Sequence, residues 1–215
     1  MNLRREFLSD RRIFMQPSMN IPMFRWKLAI AIVLGTLLGH ARAQECSSIR
    51  QFDFRNAAIP IAASDGGSRS GPGTFRLQQG VGFLSDDPIA PQSHDWRIDL
   101  LLDRLEHPDP STWVRVIVLD KDHLTGTGDW RYILAFDCRN GSLASLFQYA
   151  AEGVTLKHLS AQTLDLYQAV WAKEDPHCCP SRHMELVYRW NALRDRYVQL
   201  SSSSGTGFVE VPDEK

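Results

Sequence analysis

Between Arg131 and Tyr149 the chain reads RYILAFDC, then Arg139, Asn140 and Gly141, then SLASLFQY. Two apolar runs this short, joined through Asn-Gly, fit a β-hairpin, because Asn and Gly tolerate the positive φ values that tight hairpin turns demand. The same texture of short apolar runs broken by turn signals covers most of the chain and argues for an antiparallel, β-rich domain. Candidate strands span Gln51–Ile59, Thr74–Gln79, Trp113–Leu119, Trp130–Cys138, Leu143–Tyr149, Thr163–Trp171, Met184–Trp190 and Arg196–Leu200.

The segment Asp95–Glu106 fits two periods. Ile98, Leu101, Leu102 and Leu105 make a helical stripe, while Ile98, Leu100 and Leu102 alternate as in a strand. Pro108 and Pro110 are expected to end it either way. A helix here would cover one face of the sheet, so the expected fold class is α+β, mainly antiparallel β, in a single compact disulfide-stabilised domain. Residues 62–73 (AASDGGSRSGPG) read as a flexible loop, and Ser201–Gly207 as a similar tail before the acidic end at Asp213 and Glu214. The expected division is therefore a signal peptide over 1–43, a β-rich domain over 44–200 and a flexible acidic tail over 201–215.

The first segment is inferred from Leu28–Leu38, LAIAIVLGTLL, which is preceded by Arg25 and Lys27 and followed by Ala41, Arg42 and Ala43. A basic flank, a short apolar run and an A-x-A triplet outline a secretory signal peptide. The run is shorter than the roughly 20 apolar residues a membrane-spanning helix needs. Cleavage near Ala43 would leave Gln44 first and no transmembrane segment in the mature chain, which places the protein in the periplasm or outside the cell. Arg4 and Arg5 before Phe7 and Leu8, and Arg11 and Arg12 before Phe14 and Met15, also resemble a twin-arginine export signal. They lie far upstream of the apolar run, and Met19 or Met23 would serve as a later start.

Export changes the charge. The 215 residues hold 24 Lys and Arg against 25 Asp and Glu, a net charge of -1. Removing residues 1–43 takes away seven basic groups (Arg4, Arg5, Arg11, Arg12, Arg25, Lys27, Arg42) and two acidic ones (Glu6, Asp10), leaving 17 against 23 and a net charge of -6. An acidic domain without a Lys/Arg cluster is a poor ligand for phosphate backbones, so nucleic acid is excluded as a partner. An unidentified envelope component or small ligand is expected instead.

All four cysteines, Cys46, Cys138, Cys178 and Cys179, lie after the cleavage site, as expected for disulfides formed in an oxidising compartment. Cys178 and Cys179 either each reach one of Cys46 and Cys138, or bond to each other and leave Cys46 to Cys138. A rival is a metal site of His177, Cys178, Cys179 and His183, since thiolate and imidazole bind zinc. The H-C-C-x3-H spacing, however, lacks the gap that lets two cysteines converge on one ion.

The segment Asp175–Trp190, DPHCCPSRHMELVYRW, resembles the closing part of the LppP/LprE family of bacterial lipoproteins and related exported proteins. The resemblance rests on Cys178, Cys179, Pro180, Ser181 and Arg182, then Tyr188, Arg189 and Trp190. Asp53, Phe54, Arg55 and Asn56 resemble that group's opening motif, and Thr74–Gly80 one of its strands. The resemblance implies an exported β-rich domain. Two departures accompany it. Cys46 comes after Ala43, Gln44 and Glu45 rather than a lipidation motif, and Asp103–Thr112 (DRLEHPDPST) lacks the glycine of a calcium loop.

Other motifs are weaker. Asp120, Asp122 and Asp129 in LDKDHLTGTGD invite a calcium reading, but counted from Asp120 the sixth residue is Thr125 and the twelfth Arg131, so the EF-hand pattern fails and a solvated hairpin loop is expected. There is no G-x-S-x-G, S-x-x-K or H-E-x-x-H. His94, His107, His123, His158, His177 and His183 are scattered over loop-like positions. Glu174 and Asp175 read as a charged turn before Pro176. Arg182 is a candidate anion-binding group or a salt-bridge partner of that turn, and Arg182, His177 and His183 are the candidate ligand-binding residues. Trp96, Trp113, Trp130, Trp171 and Trp190 suit a core better than a sugar-stacking platform. The expected role is a non-catalytic binding or scaffolding domain of the envelope, with no cofactor. The alternatives are a hydrolase with a His/carboxylate site near the Cys178–His183 turn, and a metal-binding protein using that turn or Asp120–Asp129.

Overall fold

The computed structural model describes residues 45–62, 73–84, 95–125, 129–176 and 178–207. The expected signal segment, most of the 62–73 loop, His94, His177, Asp213 and Glu214 lie outside the described residues. Within them a 3-10 turn at Phe54–Asn56 is followed by eleven strands. These are β1 (Ala58–Ile61), β2 (Gly73–Arg76), β3 (Val81–Leu84), β4 (Trp96–Asp109), β5 (Thr112–His123), β6 (Asp129–Arg139), β7 (Ser142–Glu152), β8 (Val154–Ser160), β9 (Thr163–Val170), β10 (Arg182–Asn191) and β11 (Arg196–Thr206).

All pairings are antiparallel and join sequence neighbours. β3 to β7 form a five-stranded sheet, β8 to β11 a four-stranded sheet, and β1 and β2 a two-stranded one. The Asn140-Gly141 turn joins β6 to β7 as the sequence requires, with φ of 51° and 76° and Arg139 paired to Ser142. At Gly153 (φ 61°) the chain leaves β7 for β8 and so passes from one sheet to the other. A Cβ there would lie 2.8 Å from Ala169 and Trp171.

The five-stranded sheet is apolar on both faces, which is why β5 and β6 carry nearly continuous apolar runs. Val114, Val116, Val118, Ile133 and Ala135 pack with Leu156, Leu164, Leu166, Leu186, Trp190 and Tyr197 of the four-stranded sheet. The alternate residues Ile117, Leu119, Tyr132, Leu134 and Phe136 pack with Cys46, Ile49, Phe52, Phe54, Ile59 and Phe75 of the N-terminal segment and the small sheet. The pairs Val116↔Ala135 and Val118↔Ile133 belong to the first face, Ile117↔Leu134 and Leu119↔Tyr132 to the second.

Several expectations are corrected. The described residues contain no α-helix, so the fold is β-rich and not α+β. Asp95–Glu106 is strand β4, and its double period has a physical cause. The register shifts between Leu100 and Leu102, a bulge that turns Leu101 outward at 50% exposure. Before it Ile98 and Leu100 face the N-terminal segment; after it Leu102 faces the other sheet and Leu105 the N-terminal segment. The parity change imitates a helical stripe. Pro108 does not end the strand either, because a second irregularity between Glu106 and Asp109 accommodates it. Gln51–Ile59 is mostly turn, with the strand starting at Ala58. β3 and β8 lie outside the expected strands.

Ser201–Thr206 is not a tail. These residues pair with Val187–Arg182 as the outer half of β11, since a backbone ladder needs no apolar side chains. The Asp120–His123 stretch is strand as well, and Lys121 within it is fully buried with its Nζ 4.2 Å from the Trp96 ring centroid.

Candidate functional site

A polar, solvent-open cleft of about 410 Å³ lies where three parts of the fold meet. Ser47–Arg50 of the N-terminal segment form one wall. Ser111 of the β4–β5 turn, with Thr112 and Trp113 at the start of β5, form a second, and Asp137, Cys138 and Asp195 complete it. The Cys46–Cys138 disulfide holds the first wall against the third, with Cα atoms 5.3 Å apart, and the Cys46 amide donates to the Gly141 carbonyl at 3.0 Å.

The charged groups are organised in pairs. Arg139 donates from Nε to Asp137 at 3.3 Å and from Nη2 to Asp195, which ties the end of β6 to the β10–β11 turn. Arg115 makes a two-point ion pair with Asp103 and also reaches the Arg50 carbonyl at 3.5 Å. Trp113 is half-buried against the N-terminal core; the Arg50 guanidinium lies 4.7 Å from its ring centroid and His107 stacks on it at 4.2 Å and 10°. Beside the cleft, Asp109 accepts from Ser111 Oγ at 2.7 Å, Ser111 N at 2.9 Å and Trp190 Nε1 at 2.8 Å. The Ser111 hydroxyl first, with these other donors, holds its carboxyl down at about 2.

The turn favoured from sequence has a different character. Cys178 and Cys179 are bonded to each other and both are exposed. Of the three connectivities left open, the structure has the vicinal one, and no described cysteine is free. Both sulfurs of the supposed zinc site are thus in a bridge and this oxidised form offers no thiolate. His177 is outside the described residues. His183 donates from Nδ1 to the Gly207 carbonyl at 2.8 Å and stacks on Tyr167 at 4.8 Å. Among the described residues no carboxylate hydrogen-bonds its ring.

Asp175 accepts from the Ala172 amide at 2.7 Å and the Ser181 amide at 2.8 Å, which lowers its pKa, with the charge of exposed Arg182 a smaller contribution. It is a loop clamp. Glu174 is exposed.

Asp120 pairs with Arg131 at 3.2 Å, and Asp122 is shifted upward by burial and then by the charges of Asp120 and Asp99. The Asp129 side chain lies outside the described residues. Among the described residues no three His, Cys, Asp or Glu side chains converge as a metal site would require. Trp96 and Trp190 are 9% exposed, and Trp130 packs on the N-terminal core. Trp113 alone among the tryptophans lines the cleft.

Sequence reasoning missed Arg50, Asp109, Arg139 and Asp195. Their one local signal is position in a turn (Arg50, Asp195) or at the strand end beside one (Asp109, Arg139), where Asp and Arg are common for reasons unrelated to function. No helix among the described residues is long and apolar enough to cross a membrane. Comparison with known proteins finds no family model, no curated relative and no solved structure that the chain matches.

Proposed function

We propose that the chain is exported, that cleavage near Ala43 frees one disulfide-stabilised β domain into the periplasm or beyond, and that this domain is a non-catalytic binding or scaffolding module of the envelope. The LppP/LprE-like element from Cys178 to Trp190 supports the same placement. The observation that carries the reading is Cys46. After cleavage it is the third residue of the mature chain, and its bridge to Cys138 staples that end to the central sheet. A structural disulfide at that place needs an oxidising compartment.

The cleft that this staple closes supports binding over catalysis. Hydroxyls, an indole and paired charges line it, which suits hydrogen bonding to a polar ligand. Intact mass of protein recovered outside the cytoplasm tests the first half. The expected species starts at Gln44 and is four hydrogens lighter than its reduced form, whereas cytoplasmic protein with free thiols would overturn export. For the second half, indole NMR signals are followed while solubilised envelope extract is added. Shifts are expected at Trp113 and not at Trp190. Turnover of simple ester, glycoside or peptide substrates, abolished by cleft substitutions, would overturn the non-catalytic assignment.

A further inference from the structure

The two disulfides do unlike things. Cys46–Cys138 joins residues 92 apart, and Cys46 is 2% exposed. Such a bridge closes a long loop and removes much entropy from the unfolded chain. Cys178 and Cys179 are adjacent, so their bridge closes no loop beyond their own peptide unit and contributes nothing by that mechanism. The β9–β10 connection does not depend on it. The Asp175 carboxylate clamps Ala172 to Ser181, the Cys179 amide donates to the Pro176 carbonyl at 3.0 Å, and the Gly207 amide holds the Ser181 carbonyl at 2.8 Å. Both cysteines are exposed, while Pro180 beside them is buried and anchors the loop.

A cross-link that constrains no loop, stands in solvent and sits in a loop held shut by other bonds is placed for chemistry. We propose that Cys178–Cys179 is a redox-active site that undergoes reversible thiol–disulfide exchange with a dithiol partner, independently of what the cleft binds. One thiolate of the dithiol attacks one of the two sulfurs, forms a mixed disulfide and releases the other cysteine as a thiolate. The partner's second thiolate then attacks its own sulfur in the mixed disulfide and releases the second cysteine. The cysteine pair gains two electrons and two protons, and the dithiol becomes its disulfide. Because Asp175 keeps the loop closed, the fold is the same in both states and the couple can cycle.

The test is graded dithiothreitol on the folded protein, with acid quenching, alkylation and peptide mapping. Cys178 and Cys179 are expected to be alkylated at a reductant concentration roughly tenfold or more below that needed for Cys46 and Cys138, and excess oxidised glutathione, added after the reductant is removed, should restore the bridge. The single variants Cys178→Ser and Cys179→Ser should each react with dithiobis(nitrobenzoate), keeping one thionitrobenzoate as a mixed disulfide and releasing the other as its thiolate. The double variant Cys178→Ser/Cys179→Ser should keep the parent melting temperature to within about 1 °C. Simultaneous reduction of both bridges, resistance until the protein unfolds, or a large drop in melting temperature of the double variant would overturn the proposal.

Discussion

The two faces of the five-stranded sheet are equally dry but are covered by different means. On one, β8 to β11 form a continuous hydrogen-bonded sheet whose apolar side chains interdigitate with Val116, Val118 and Ile133. On the other, the cover is a 3-10 turn, the short strands β1 and β2 and irregular backbone. That cover is held by side chains. Gln148 accepts from the Ala62 amide at 2.8 Å and donates to the Pro60 carbonyl at 3.2 Å, and Asn56 accepts from the Gln79 amide at 2.9 Å. Cys46–Cys138 fastens its end. Within the four-stranded cover a backbone ladder ties the strands to one another; in the irregular cover a covalent bond and specific side chains hold the segments in place.

The contrast can be broken from either side. Phe54 is fully buried against Phe52 and Phe136, so Phe54→Ala should cost about 4 kcal/mol through lost burial and a residual cavity. Leu164→Ala on the opposite face should cost about 3 kcal/mol. Denaturant melts measure both. Native-state hydrogen exchange distinguishes them: the Phe54 variant should open residues 45–61 ahead of β5 and β6, and the Leu164 variant should not. Equal loss of protection everywhere in both would mean that the two covers are one cooperative unit.

Removing the staple should come next in size. A loop of this length is worth about 4 to 5 kcal/mol by chain entropy, and measured values run about 2 to 5, so Cys46→Ala/Cys138→Ala should lose about 3 kcal/mol and expose the N-terminal segment to protease. Limited proteolysis with mass mapping reads this directly. Cleavage starting in β8 to β11 would refute the distinction between the faces.

Smaller effects probe the junction of the two sheets. Gly153→Ala forces a side chain into left-handed backbone and against Trp171, and should cost about 1 to 2 kcal/mol in thermal melts. The Asp109 carboxyl links β4 to Trp190 of the four-stranded sheet. Its folded pKa of about 2 lies below the ordinary value near 4. Its contribution to stability is therefore complete above about pH 4 and is lost as the pH falls through about 2. Carboxyl-carbon NMR should place the midpoint near 2 and move it upward in Trp190→Phe, the smallest of these changes.

How legible the molecule is from its residues varies with range. The β6–β7 hairpin is readable because Asn140-Gly141 is a local demand of the turn. The double burial of β5 and β6 is written in VRVIVL and YILAF, although the expectation drawn from those runs was of strands alone. By contrast β4 is ambiguous because its bulge at Leu101 moves the apolar positions from one parity to the other, and β11 reads as a tail because Ser201–Ser204 carry no burial signal. The cleft is not legible, since Arg50, Trp113, Asp137 and Asp195 come from four separate segments.

Composition, period and turn chemistry act between near neighbours, so the residues alone determined a β-rich chain with short strands and an apolar run at Leu28–Leu38 that precedes all four cysteines. Which cysteine meets which, which face each cover takes, and that Lys121 is buried under Trp96 depend on contacts between distant segments. Only the packing of the two sheets and the N-terminal strip around one central sheet brings those segments within bonding distance.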